Sequence, residues 1–196
     1  MSRISKIPVE QWDPQLVALT QGDTASTIEQ GITRMLAHCP EMARGAIGFG
    51  AAIAMNRTLP ERLIELVRLR VAFHNQCRSC MAIRYSSAAS EVDENLVCSL
   101  EKPMEAEDLT AQERAALDFA DRFATDHLSI TDQRFEGMLE YFSEAQLMEL
   151  MLHLALYVGM GRLAATLDMT EELPASFQED FGERVTPWGG NPVQVR

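Results

Sequence analysis

Two cysteines three residues apart, in the run Cys77-Arg78-Ser79-Cys80, are the sharpest chemical feature of this 196-residue sequence. On a helix, residues i and i+3 share a face, so the two sulfurs can meet. A helix that begins near Cys77 presents unpaired N–H groups and a dipole that favour a thiolate there. Arg78 and Arg84 bring positive charge. Arg84 follows Cys80 by four positions and Cys77 by seven, which predicts one stripe carrying both sulfurs and a fixed cation. A thiolate, a partner thiol and a cation are the parts that reversible disulfide chemistry needs. Two plainer readings stand beside this one. Zinc sites also use C-x-x-C, but Cys39 and Cys98 are isolated and only His38 adjoins one of them. Free cysteines also pack as small hydrophobes, the reading preferred for Cys39 and for Cys98, which lies beside Val97 and Leu100.

Other ionisable residues read more quietly. Glu65 lies among Leu63, Ile64, Leu66 and Val67, and by residue type alone it reads as a surface carboxylate. His74 precedes Cys77 by three positions, and His153 sits between Leu152 and Leu154. Both read as packed histidines of a core or an interface, and His127 as a helix-end residue.

Composition bounds the fold that must position these groups. Hydrophobic residues make up 46% of the chain and aromatic residues only 7%, while Ala, Leu, Met and Glu abound. Unbranched side chains lose little freedom on a helix, and sustained strand-type alternation is missing, so the fold class is all-α with almost no sheet. With 29 acidic against 17 basic residues the net charge is −12, which disfavours nucleic acid and anionic lipid as partners. The first residues lack the apolar run of a secretory signal, and no uninterrupted apolar stretch has the length of a membrane span. A cytoplasmic setting follows, in which a close cysteine pair is catalytic or metal-binding rather than a structural staple. Nothing in the sequence calls for a cofactor or a resident metal.

Local signals divide the chain into a lead-in segment (1–22), a helical domain (23–173) and an extended tail (174–196) that includes Pro187-Trp188-Gly189-Gly190. Ile28, Ile32, Met35 and Leu36 recur at helical spacing up to His38-Cys39-Pro40. A small-residue helix covers 41–55 and contains Gly45, Gly48 and Gly50, which allow close helix contact. Thr58-Leu59-Pro60-Glu61 reads as a capping box for a strong helix over 61–74. The pattern breaks at Asn75-Gln76, with Asn suited to the left-handed joint, and restarts near Cys77. Further helices are predicted over 90–100, 110–126, 132–141 and 144–167, the second and last opened by Thr110 and Ser143 capping boxes. Leu63-Ile64-Glu65-Leu66 is echoed by Leu147-Met148-Glu149-Leu150, with Arg78 and Arg162 at matching offsets, which agrees with two similar helical halves.

The run from Leu59 to Ala72, followed by Asn75-Gln76-Cys77-Arg78-Ser79-Cys80, resembles the core motif of the AhpD-like and carboxymuconolactone decarboxylase-like proteins. In that family a Glu precedes the first Cys by twelve positions, as Glu65 precedes Cys77, and Asn75 matches the Asn two before it. The likeness extends more loosely from Ile7-Pro8 to the neighbourhood of Asp168. The resemblance implies an AhpD-like helical fold, a homo-oligomer (trimer or hexamer), and thiol-dependent peroxidase or disulfide reductase chemistry. Its partners would be a small peroxide or disulfide and a thiol electron donor. By the same resemblance Cys80 is the peroxide-attacking thiol, Cys77 the resolving one, and Glu65 part of a proton relay. One departure stands out: the family has a His where this chain has Arg84, and a guanidinium can stabilise a thiolate but cannot shuttle a proton. Alternatives are a decarboxylase-like lyase or isomerase, which has no need of the cysteine pair, and a non-catalytic zinc- or partner-binding module. The apolar surface of 41–55 and 144–167 fits the oligomer, with Trp12 or the Trp188 region packing near a neighbouring subunit.

Overall fold

A computed structural model describes residues 2–178, 185–188 and 190–196; the predicted tail therefore lies partly outside it, at 179–184 and Gly189. The lead-in segment carries a helix of its own. Asp13 caps α1 (Pro14–Thr20), and Trp12 and Leu16 bury themselves against Ala43. The single helix predicted over the next stretch is two short ones, α2 (Thr27–Gln30) and α3 (Thr33–Leu36), because Gly31 takes a positive φ between them. The small-residue helix follows as α4 (Pro40–Met55).

The centre of the molecule is α5 (Glu61–Asn75). Every residue from Leu63 to Leu69 on it is buried, Glu65 and Arg68 included, so its sides are covered almost all round. The expected N-terminal capping box is absent: Pro60 is the N-cap and offers no side-chain bond. The carboxylate of Glu149 accepts from the backbone N–H groups of Thr58 and Leu59 instead, so a residue far along the chain anchors this helix start. At the other end Gln76 adopts the left-handed conformation, with φ 49° and ψ 38°, and stops the helix. The break lies where the sequence places it, but Gln76 rather than Asn75 makes the turn.

After the turn come α6 (Arg78–Ala82) and a short strand, β1 (Ile83–Tyr85), then α7 (Glu94–Cys98) capped by Asp93. The next helices are α8 (Ala111–Thr125), α9 (Asp132–Met138) and α10 (Glu144–Leu167), with the Thr110 and Ser143 capping boxes both formed. Helices α8 and α10 pack on α5, and one core joins Leu66, Val67, Leu117, Ala120, Leu150 and Leu154. Each large side chain fully removed from water there contributes about 1.5–3 kcal/mol. By length and composition α10 could cross a membrane, yet its inward residues Glu149 and His153 are engaged inside the bundle.

The tail departs from the extended form expected of it. Part of it is helical, α11 (Ala175–Gln178), and its last part forms β2 (Val193–Val195), which pairs in parallel with β1. This two-stranded ladder is a small exception to the all-α reading. Within the chain, Trp12 packs on Leu16 and Trp188 against Phe73. Cys39 and Cys98, expected to be buried, are exposed.

Close approach of α5 and α10 depends on Gly161. A Cβ there would collide with the amide of Asn75, whose nitrogen donates to the Tyr157 carbonyl at 2.9 Å. Gly159, two residues earlier, has open space around it. In an ordinary helix Gly→Ala stabilises by roughly 1 kcal/mol. Gly159→Ala is expected to do so, whereas Gly161→Ala should cost about 1–3 kcal/mol through overpacking. Urea midpoints for the two variants give the signs, and equal signs would refute this account of the helix contact.

Candidate active site

Cys77 and Cys80 form a disulfide, with their Cα atoms 5.2 Å apart. Cys77 is the N-cap of α6, and its sulfur accepts the Cys80 N–H at 3.3 Å. The Ser79 hydroxyl lies 3.5 Å from the same sulfur. Cys77 is fully buried and Cys80 half-buried against Ala72, Met81, Leu173 and Phe177. The turn is held from behind by Gln76. Its amide donates to Phe73 and, across the chain, both donates to and accepts from the backbone of Val185. A recess of about 190 Å³ opens beside it, lined by Gln76, Arg78, Ser79, Asp168 and Thr170 among others.

Glu65 is no surface carboxylate; it is 4% exposed and forms a two-pronged ion pair with Arg68 at 2.6 Å on both oxygens. A residue one helical turn on is well placed for this. The remaining Arg68 donors reach the carbonyls of Cys80 at 2.7 Å and Ile83 at 3.0 Å, and the guanidinium lies over the Tyr85 ring. Burial alone would lower the Arg68 pKa. The charge and hydrogen bonds of Glu65 outweigh that effect and hold it above its ordinary value. Arg68 is thus tied directly to the cysteine turn, and sequence reading missed it. Its signal was available: an Arg three residues after a Glu in an otherwise apolar helix.

Arg84 stands elsewhere than the stripe reading placed it. Helix α6 ends at Ala82, so helical spacing no longer carries Arg84 onto the face of the two sulfurs. Its guanidinium donates to Glu94, to the Met81 and Ile83 carbonyls, and to the Pro187 carbonyl of the tail. It braces β1 against the tail. Nε2 of His74 donates to the Asp121 carboxylate at 2.6 Å, beside Arg70, and the ring faces α8. Burial would raise the Asp121 pKa, but His74 and Arg70 outweigh it and hold the carboxyl below its ordinary value. His153 is buried on α10, with Nδ1 3.2 Å from the Tyr157 hydroxyl. Among the described residues, no group of three or more His, Cys, Asp or Glu side chains is placed to hold a metal ion.

The two arginines are therefore expected to differ in what their loss does. Arg68→Met leaves the Glu65 charge buried and unpaired, a defect that typically costs about 3–5 kcal/mol. Arg84→Met leaves the half-exposed Glu94 carboxylate and the Met81 and Pro187 carbonyls without this partner but strands no buried charge, and should cost clearly less while loosening the tail. Denaturant titration ranks the two, and hydrogen exchange at Ser86, whose N–H donates to the Val195 carbonyl, reports the tail. Equal losses would refute the assignment of Arg68 as the inner brace.

No protein-family model matches the sequence, and no curated protein is significantly similar to it. Solved structures do match. An uncharacterized peroxidase-related protein from Ralstonia eutropha with an alkylhydroperoxidase AhpD core is 19% identical, with TM-score 0.67 over 90% of this chain and 94% of that one. A protein of unknown function from Agrobacterium tumefaciens, described as a candidate AhpD antioxidant defence protein, is also 19% identical, with TM-score 0.63 over 71% and 97%. The debrominase Bmp8, in a cysteine-to-alanine variant bound to 2,3,4-tribromopyrrole, is 16% identical, with TM-score 0.69 over 91% and 96%. At such identities the likeness speaks for architecture alone, and it agrees with the helical bundle described above. The chain has the all-helical fold of the AhpD-like proteins.

Proposed function

We propose that this chain is a thiol-dependent oxidoreductase that cycles Cys77 and Cys80 between dithiol and disulfide. One observation carries the reading: the pair is already joined across a helix joint, with one sulfur buried and the other half-exposed. A donor thiolate meets the half-exposed Cys80 first. As its sulfur bonds to Cys80, the Cys77–Cys80 bond breaks and Cys77 leaves as a thiolate. That thiolate is received by the Cys80 N–H at the start of α6, which favours its departure. The donor's second thiol then attacks its own sulfur in the mixed disulfide, releasing Cys80 and carrying away the new disulfide. A peroxide or a disulfide substrate closes the cycle by reoxidising the pair, with Cys80 attacking and Cys77 resolving. Water or an alcohol is the co-product when the oxidant is a peroxide.

Arg84 enters this proposal as a brace of the tail and not as the cation beside the thiolate, because its guanidinium is engaged by Glu94 and by backbone carbonyls. A cytoplasmic setting supplies the dithiol donors such a cycle uses. The debrominase of like fold favours a second reading, reductive removal of bromide from an aromatic ring. There a donor dithiol would become a disulfide as C–Br becomes C–H with release of bromide and a proton. Bromide release from 2,3,4-tribromopyrrole in the presence of dithiothreitol tests it.

Exposed apolar side chains on α4 (Met42, Phe49, Met55) and on α10 (Met148, Leu152, Leu163) fit a homo-oligomer. Light scattering at micromolar concentration should give a multiple of 21.9 kDa, and a monomer would count against the assembly. For the chemistry, dithiothreitol followed by hydrogen peroxide should open and reclose the bond, seen as a reversible two-hydrogen mass change in the Cys77–Cys80 peptide. After reduction, brief iodoacetamide treatment should label Cys80 ahead of Cys77. A pair that resists reduction in the folded protein, or reduced thiols that never reclose with any peroxide or disulfide, would overturn the redox reading.

A further inference from the structure

One guanidinium beside the cysteine turn is left without a carboxylate. Arg3 donates through one nitrogen to the Thr166 carbonyl at 2.8 Å, and it forms no ion pair among the described residues. Bonds that make no use of its charge hold it in place. Its backbone N–H donates to the Leu167 carbonyl at 3.0 Å. On either side, the Ser2 N–H and the Lys6 ammonium donate to Glu171, and Lys6 donates also to Glu172. Arg3 is thereby fixed at the C-terminal end of α10, on the wall of the recess of about 190 Å³.

The same recess adjoins the disulfide. Ser79, between the two cysteines, is part of its wall, and the Ser79 hydroxyl lies 3.5 Å from the Cys77 sulfur. Thr170 is another part of the wall. It is 9% exposed, and its hydroxyl meets no partner among the described residues. A hydroxyl so far withdrawn from water ordinarily finds a hydrogen bond. Among the described residues Asp168 is the one carboxylate lining the recess, and it accepts from Arg78. The Glu171 carboxylate, next along the chain from Thr170, is taken up by Ser2 and Lys6. The Gln76 amide is spent on Phe73 and Val185. What remains for a small molecule is a guanidinium and a hydroxyl, both donors. A forked guanidinium suits a carboxylate in particular.

We infer that this recess binds the carboxylate of a small disulfide or dithiol substrate, with Arg3 and Thr170 as donors, so that the Cys77–Cys80 pair prefers anion-bearing substrates; the inference rests on the redox reading above. Arg3 and Thr170 touch the substrate's anionic end and not the reacting sulfurs, so their part is specificity. In the oxidising half of the cycle the Cys80 thiolate attacks one sulfur of the bound disulfide, and the first half of the substrate leaves as a thiolate. Cys77, also as a thiolate, then attacks Cys80 and releases the second half. The pair gives up two electrons and the substrate gains them, while the two protons lost by the cysteines end on the released thiols. A chain of net charge −12 otherwise repels such anions, so a local cation has the more to contribute here.

The test starts from the full chain reduced with dithiothreitol and freed of it. The protein is mixed near neutral pH with dithiodipropionate or with its uncharged diamide, and quenched with acid at intervals. Loss of two hydrogens from the Cys77–Cys80 peptide gives the rate, divided for each probe by its rate with a small free thiol. Wild type should favour the dianion roughly fivefold, the size expected of one partly exposed charge contact. Arg3→Met should remove that advantage and leave the diamide rate unchanged, since the backbone bond of residue 3 to Leu167 survives the substitution. Arg3→Lys should retain part of it, Thr170→Val should reduce it, and about 1 M salt should abolish it in wild type. A merely structural role for Arg3 lowers both rates together, and that result overturns the inference. So does a wild type that reacts no faster with the dianion, or an advantage that persists in both Arg3→Met and Thr170→Val; in each case reoxidation by the diamide leaves the redox reading standing. A reduced pair that neither probe nor any peroxide recloses overturns both.

Discussion

The buried ion pair between Glu65 and Arg68 is the constraint on which the geometry around the cysteines depends. Removing both charges from water is expensive, and attraction between them repays it only when the remaining donors are also satisfied. Within α5 there is nothing left to satisfy them, since the helical carbonyls nearby are already used by the helix itself. The carbonyls of Cys80 and Ile83 fill that need. For both to reach Arg68, the chain must turn back on α5 after only a short helix and then extend. The stop at Ala82 and the start of β1 thus follow from a charge buried about two turns into the preceding helix.

The same turn is fixed from two other directions. The left-handed Gln76 redirects the chain, and its side chain holds Val185 through both of that residue's backbone groups. Arg84 then ties β1 to Pro187, and the ladder with β2 continues the attachment. These hydrogen bonds add to the apolar contacts that Phe177, Val185 and Trp188 of the tail make with the bundle. Polar attachment of this kind contributes modestly per bond, so the frame of the cysteine turn depends on the number of bonds more than on any one.

Much of the bundle was readable in the sequence because its helices carry local signals. The capping boxes at Thr110 and Ser143, the periodic apolar stripe of 144–167 and the break before Cys77 all appear where spacing predicts them. What escaped the reading involves partners distant along the chain. Thr58 looked like a cap, but the capping group is Glu149, ninety-one residues on. Glu65 looked exposed because its residue type usually is, and only the paired Arg68 makes its burial tolerable. Arg84 was assigned to a helical stripe because spacing cannot foresee that a carbonyl needed by Arg68 ends the helix first. The tail gave no periodic signal at all, since single apolar contacts such as Trp188 on Phe73, together with hydrogen bonds from Gln76 and Arg84, determine where it lies.

Charge near the sulfurs is therefore balanced rather than concentrated. Arg68 is neutralised by Glu65, and Arg84 by Glu94, each pair closed by two hydrogen bonds. A thiol pKa lowered by a free cation is the usual route to a reactive cysteine, and neither of these guanidiniums offers one. What bears on Cys77 at short range is dipolar: the Cys80 N–H at 3.3 Å and the Ser79 hydroxyl at 3.5 Å. Dipoles of this kind stabilise a thiolate only at the position they point to, and they point to Cys77. The two sulfurs are then inequivalent for a reason built into the backbone. In the redox cycle proposed above, the buried one would be the leaving group and the half-exposed one the point of attack.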